Sequence, residues 1–234
     1  MASVVSTAIR PSYGYPTGDG KPMAETDKHR KLMNILIETL DLYFIKDPNV
    51  YVSGNLLLFY EPGNKRRHLS PDVMFVRGVP KGDRLNYLTW IEEKGPDVVI
   101  ELTSSSTRHK DTKKKFAIYR DTLRVSEYFL FDPLGDYLTP RLQGYRLIEG
   151  QYVAIEAKDG RLPSVELGLH LERTGEVVRL WDPTTETLLP TPAQQQQERA
   201  DQQQERAQKA EDQLARALQE LENLRRQQPK NGHS

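Results

Sequence analysis

The chain has 234 residues, with 33 Lys and Arg against 33 Asp and Glu, so no global field draws it to an acidic or basic partner. It has no cysteine, which excludes disulfides, thiol catalysis and thiolate zinc sites and suits a reducing cytosol. No apolar run approaches the ~18 residues of a membrane span and no basic-then-apolar leader opens the chain, so a soluble, cytoplasmic protein with no membrane partner is expected.

Residues 1–20 carry glycine, proline and tyrosine without periodicity and read as an N-terminal arm. From Thr26 or Asp27, both good N-caps, a helix is predicted to about Phe44, with Leu32, Met33, Leu36, Ile37 and Leu40 as its apolar stripe. Glu25 and His29, four residues apart, read either as a capping-region pair or as auxiliary ligands and proton handlers beside a site. Asp47-Pro48-Asn49 is a turn, and Val50 to Tyr60 reads as a strand or long hairpin arm. A second turn at Glu61 to Asn64 precedes the basic cluster Lys65, Arg66, Arg67 and His68. Ser70-Pro71-Asp72 then leads into the apolar run Val73 to Val76, a buried strand with a carboxylate at its start.

Gly78 to Gly95 reads as a loop with short helical turns. Val98 to Leu102 is a buried strand interrupted by one charge, Glu101. A carboxylate there is costly to desolvate unless something pairs with it or a metal binds it. Lys110 to Leu123 reads as a helix, and at ~100° per residue Phe116, Tyr119 and Leu123 share the face that packs on the sheet. Of its lysines only Lys115 lies near that face, so Glu101 is expected to meet Lys115, either as a structural ion pair or as part of a site.

Glu127 to Asp132 is the next buried strand, and strand, crossover helix and strand in this order imply parallel pairing. Tyr145 to Ile148 and Tyr152 to Ile155, around Glu149-Gly150, form a hairpin, and Leu162 to Leu171 and Val177 to Trp181 read as edge elements. The domain is expected to span residues 21–190. Beyond it, residues 191–234 are rich in Gln, Glu, Arg and Ala with an approximate heptad seam, giving a lone helix or a weak coiled coil.

Asp72 before one strand, Glu101 within the next and Lys115 beyond it resemble the PD-(D/E)xK nuclease superfamily. More closely, the chain resembles the Uma family of restriction-endonuclease-like proteins. The matching segments are Pro22 to Thr26 with His29, Val52 to Leu56, Ser70 to Val73, Pro96 to Ser104, Lys115 with Tyr119, and Glu127 to Pro133. One departure stands out: the superfamily lysine normally lies two residues after the glutamate, where this chain has Thr103, and the family is understood to supply it from the following helix.

The resemblance implies an α/β fold, a restriction-endonuclease-like mixed sheet flanked by helices. It implies a Mg²⁺- or Mn²⁺-dependent endodeoxyribonuclease in which Asp72 and Glu101 hold the metal with the Leu102 carbonyl, and Lys115 orients or deprotonates water and offsets developing charge. Arg66, Arg67, Arg108, Lys110 and Lys113 would then face DNA phosphates, and a homo-oligomer, a dimer through the domain or the tail, would suit cutting of both strands. The competing expectation is a nuclease-fold DNA- or protein-binding module with a weak or inactive site.

Overall fold

The computed structural model describes residues 10–18, 26–104 and 107–227, with only the backbone of 222 and 224–227. Packing divides the chain into two units, Met1–Leu189 and Pro190–Ser234.

The first unit is a mixed α/β assembly. Its central sheet has six strands: β1 (Val50–Ser53), β4 (Val73–Arg77), β6 (Val98–Leu102), β7 (Glu127–Phe131), β8 (Leu142–Ile148) and β9 (Gln151–Ala154), in that spatial order. Only β6 and β7 run parallel, as a strand–crossover–strand order requires; every other neighbouring pair is antiparallel. The β8–β9 connection places Glu149 and Gly150 at φ 49° and 81°, the two left-handed positions of a tight hairpin turn.

Alternation along the strands gives the two faces different partners. Val73, Phe75, Val98, Ile100, Phe129 and Phe131 join α1 (Asp27–Tyr43) through Leu32, Met33, Leu36 and Leu40, together with leucines and valines of a second sheet. Thr26 caps α1, its side chain accepting from the His29 N–H at 3.2 Å. On the other face Met74, Val76, Val99, Tyr128 and Leu130 meet Tyr119 and Phe116 of the crossover helix. Phe116 packs edge-on against Tyr128, Tyr145 and Tyr152 at ring separations of 5.9, 5.1 and 5.0 Å, contacts worth ~1 kcal/mol each beyond area burial.

Three elements differ from the sequence expectation. The arm expected over Val50 to Tyr60 breaks after Ser53: Asn55 takes φ 51°, and the chain re-enters as β2 (Leu58–Phe59) of a separate three-stranded sheet with β3 (His68–Leu69) and β5 (Tyr87–Leu88). The expected edge elements form their own antiparallel sheet, β10 (Arg161–Ser164), β11 (Leu169–Thr174), β12 (Val177–Asp182) and β13 (Thr187–Leu188), because its Leu162, Leu169, Leu171, Val178 and Leu180 face the core beside α1. The crossover helix is wound over Lys110–Lys115 and Ile118–Thr122 with the wider π turn rather than the α turn. Asp111, Lys115 and Tyr119, spaced four apart, all lie on its buried side, each 5% exposed or less.

Residues 10–18 lie against the three-stranded sheet: Arg10 pairs with Glu92 at 3.1 Å, and the Tyr15 ring sits 4.9 Å from Phe59 and 5.2 Å from Trp90. The described residues of the second unit include the helix α2 (Pro192–Gln227), on which Leu214, Leu218 and Leu221 are exposed. Among the described residues no helix is long and apolar enough to cross a membrane.

Candidate active site

The β4–β6 register places Val73 opposite Ile100; one step further, Asp72 stands across from Glu101, on the sheet face that receives the crossover helix. The Leu102 N–H donates to Asp72 Oδ2 at 2.7 Å and fixes that carboxylate at the mouth of the strand pair. His29 Nε2 lies 3.3 Å from Asp72 Oδ1, with the two side chains 19% and 13% accessible. They form the open edge of the site.

Gly54 controls where Asp72 stands. A methyl group at residue 54 would lie 1.9 Å from the Asp72 carbonyl oxygen and 2.7 Å from the Ile37 Cδ1, so the β1 end can approach the start of β4 only because this residue has no side chain. The Asn55 N–H then donates to the Pro71 carbonyl at 2.8 Å and ties the two segments together.

Glu101 and Lys115 lie behind this edge, their side chains 2% and 6% accessible. Lys115 Nζ donates to Glu101 Oε2 at 2.7 Å and to the Ser70 carbonyl at 3.4 Å, while the Tyr119 hydroxyl donates to Glu101 Oε1 at 2.8 Å. A third carboxylate, Asp111, places Oδ1 3.4 Å from the same ammonium. Sequence reading missed Asp111, although an acid four residues before a lysine on a helix was a usable signal.

The electrostatics are unbalanced. Asp72, Glu101 and Asp111 share one lysine. Burial pushes the Glu101 carboxyl up to about 8 against the pull of Lys115, and Asp72 and Asp111 push it the same way. For Lys115 burial favours the neutral amine, but Glu101, Asp72 and Asp111 outweigh it and hold the ammonium well above the ordinary lysine value. Burial would also raise Asp72, yet the His29 hydrogen bond and the Lys115 charge keep it below the ordinary carboxylate value. The Tyr119 hydroxyl is raised by burial and by Glu101, so it stays a donor.

This donor set fits a hard divalent cation in chemistry and charge, because carboxylate oxygens in excess over ammonium are what such an ion neutralises. Both Glu101 oxygens already accept hydrogen bonds, and among the described residues no three His, Asp or Glu side chains form a ready-made metal cage.

The remaining sequence candidates fall elsewhere. Glu25 lies outside the described residues. Leu102 meets the site through its N–H. Arg108, Lys110 and Lys113 are exposed on and around the start of the crossover helix, with the Arg108 guanidinium 5.7 Å from the Tyr137 ring centre. Arg66 and Arg67 are exposed in the turn before β3, where Arg67 pairs with Glu61 at 3.0 Å and covers the Tyr60 ring.

No curated protein matches the chain. Among solved structures, the crystal structure of "a putative nuclease belonging to DUF820" from Anabaena variabilis aligns with a TM-score of 0.47 at 16% identity, covering 65% of this chain and 80% of that one. The profile of Uma2, a family described as "Putative restriction endonuclease", matches residues 10–180. With most of its length under that match, the chain belongs to the Uma2 family of restriction-endonuclease-like proteins.

Proposed function

We propose that the protein is a divalent-metal-dependent endodeoxyribonuclease that hydrolyses DNA phosphodiester bonds at the Asp72–Glu101–Lys115 site, within a nuclease-like domain of residues 21–190. The observation that carries this reading is the excess of three carboxylates over one ammonium where β4 meets β6. Asp72 and Glu101, with the Leu102 carbonyl, would hold Mg²⁺ or Mn²⁺, and such an ion when bound polarises a phosphodiester oxygen and acidifies water.

The chain's own groups divide the remaining work. Lys115, kept as an ammonium, donates to the phosphoryl oxygen that gains charge and does not serve as the base. His29 Nε2, 3.3 Å from Asp72 Oδ1 at the open edge, would hold that carboxylate in its charged form. The Leu102 N–H and the Tyr119 hydroxyl hold the two carboxylates in place. Arg108, Lys110 and Lys113 would track the phosphate backbone, with Arg66 and Arg67 as a second arm. Two copies joined through the tail, residues 191–234, where Leu214, Leu218 and Leu221 are exposed, would present two sites to one duplex.

The test is plasmid nicking by purified protein with Mg²⁺ or Mn²⁺, beside Glu101→Gln and EDTA controls. Cleavage that requires metal and vanishes in a folded Glu101→Gln protein supports the assignment, whereas cleavage that survives the substitution overturns the mechanism. A second reading, a nuclease-fold DNA- or protein-binding module, is favoured by one observation: both Glu101 oxygens are engaged by Lys115 and Tyr119. DNA binding without cleavage in either metal would select it.

A further inference from the structure

One buried carboxylate has no task in the chemistry above. Asp111 is 3% exposed, and Lys115 already meets Glu101 at 2.7 Å, so neutralising the lysine does not call for a second acid. Burying an extra anion beside two others is costly unless its place matters.

The surroundings of Asp111 fix that place. The Thr103 hydroxyl donates to Asp111 Oδ2 at 2.9 Å, and the Tyr128 hydroxyl donates to the Asp111 carbonyl at 3.1 Å. Thr103 is 1% exposed, its N–H donates to the Phe131 carbonyl at 2.7 Å, and its hydroxyl is also hydrogen-bonded to Tyr137. Tyr137 belongs to a turn anchored by Asp132, whose carboxylate accepts from the N–H groups of Leu134, Gly135, Tyr137 and Leu138 at 2.8 to 3.2 Å. Asp111 is thus held by Thr103, by Tyr128 of β7 and by its own helix, with the Asp132 turn steadying Thr103. The lysine it faces ends a flexible four-carbon stem, whose ammonium direction is set only by where its acceptors are.

The geometry points to Asp111 as the positioning residue for the Lys115 ammonium, with Thr103 acting one step behind by aiming the Asp111 carboxylate. Thr103 stands two residues after Glu101, where the resembled nuclease pattern carries the lysine itself. In this chain that strand position has become the support for a lysine delivered by the helix. The catalytic consequence rests on the nuclease reading, but the positioning does not.

The experiment uses full-length Thr103→Val and Asp111→Asn proteins. Solvent exchange of the Lys115 ammonium protons is followed by ¹⁵N-lysine NMR, with Lys115→Met to assign the signal, and nicking is measured with Mg²⁺. In both variants exchange is expected to be at least about tenfold faster. The turnover rate is expected to fall on the order of 10- to 100-fold while KM for DNA stays unchanged. A purely structural Asp111 would lower the unfolding midpoint without changing exchange in the folded protein, and unchanged exchange in either folded variant overturns the proposal even if cleavage is lost. If Asp111→Asn does not fold, Thr103→Val, which keeps every charge, decides alone. Faster exchange in variants of a protein that never cuts DNA upholds the positioning and removes the nuclease reading instead.

Discussion

Two glutamates on adjacent parallel strands, Glu101 of β6 and Glu127 of β7, are each 1% exposed yet differ in almost everything else. They point to opposite faces of the sheet. Glu127 is surrounded by donors: Arg146 through Nε and Nη2 at 2.9 and 2.8 Å, the Ser164 hydroxyl, and the N–H groups of Val165 and Glu166 at 2.9 and 3.3 Å. That set saturates one carboxylate and joins β7 to β8 and to the β10–β11 turn. Glu101 has two donors and two further carboxylates near its partner lysine. Burial of a charge therefore does not by itself mark a candidate site, and the feature that sets Glu101 apart is the balance of charge around it.

The largest expected contrast is catalytic. Glu101→Gln should reduce metal-dependent nicking by about a thousandfold or more, whereas Glu127→Gln, if folded, should cut at nearly the wild-type rate. A matching loss in both would dissolve the distinction. The stability contrast comes next and runs the other way. Glu127→Gln weakens five hydrogen bonds donated to one carboxylate and should cost roughly 2–4 kcal/mol in denaturant unfolding, with no recovery on adding Mg²⁺.

The pH dependence separates the two residues more finely. Glu101 has its folded-state value raised to about 8, so the folded metal-free protein holds that proton more tightly than the unfolded chain does. Its contribution to stability is therefore fully present below the ordinary carboxyl range and is lost as pH rises toward 8. Thermal unfolding without metal should show wild type losing ground to Glu101→Gln between about pH 5 and 8, and parallel curves would mean that Glu101 is ionised throughout. The smallest effect belongs to the rim. Arg108→Ala should weaken DNA binding a few-fold and lower the salt slope by about one, and an unchanged slope would place the DNA elsewhere.

Much of this contrast could be read before the structure. The meeting of Glu101 with Lys115 followed from one charge in an apolar strand and from which lysine faced inward, and the parallel β6–β7 pair followed from element order. The role of Glu127 did not, because its donors come from residues 19 to 39 positions away, with no local pattern to announce them. Asp111 was half legible: it lies four residues before Lys115, a spacing at which helical side chains meet, but Thr103, which holds its carboxylate, comes from the preceding segment with no local pattern to pair them. The break after Ser53 was invisible, since Leu56 to Tyr60 is as apolar as the strand before it and only the separate three-stranded sheet claims it.

Gly54 extends the map of the site to a residue that carries no chemistry. It neither ionises nor donates from a side chain, and its φ is not one that demands glycine; what it contributes is room for the Asp72 carbonyl. Gly54→Ala would leave every charged group in the chain intact and still push Asp72 out of line with Glu101. A catalogue of charged and polar residues alone would pass over this position, and a family member that had drifted here would keep every such residue while losing the alignment of Asp72 with Glu101.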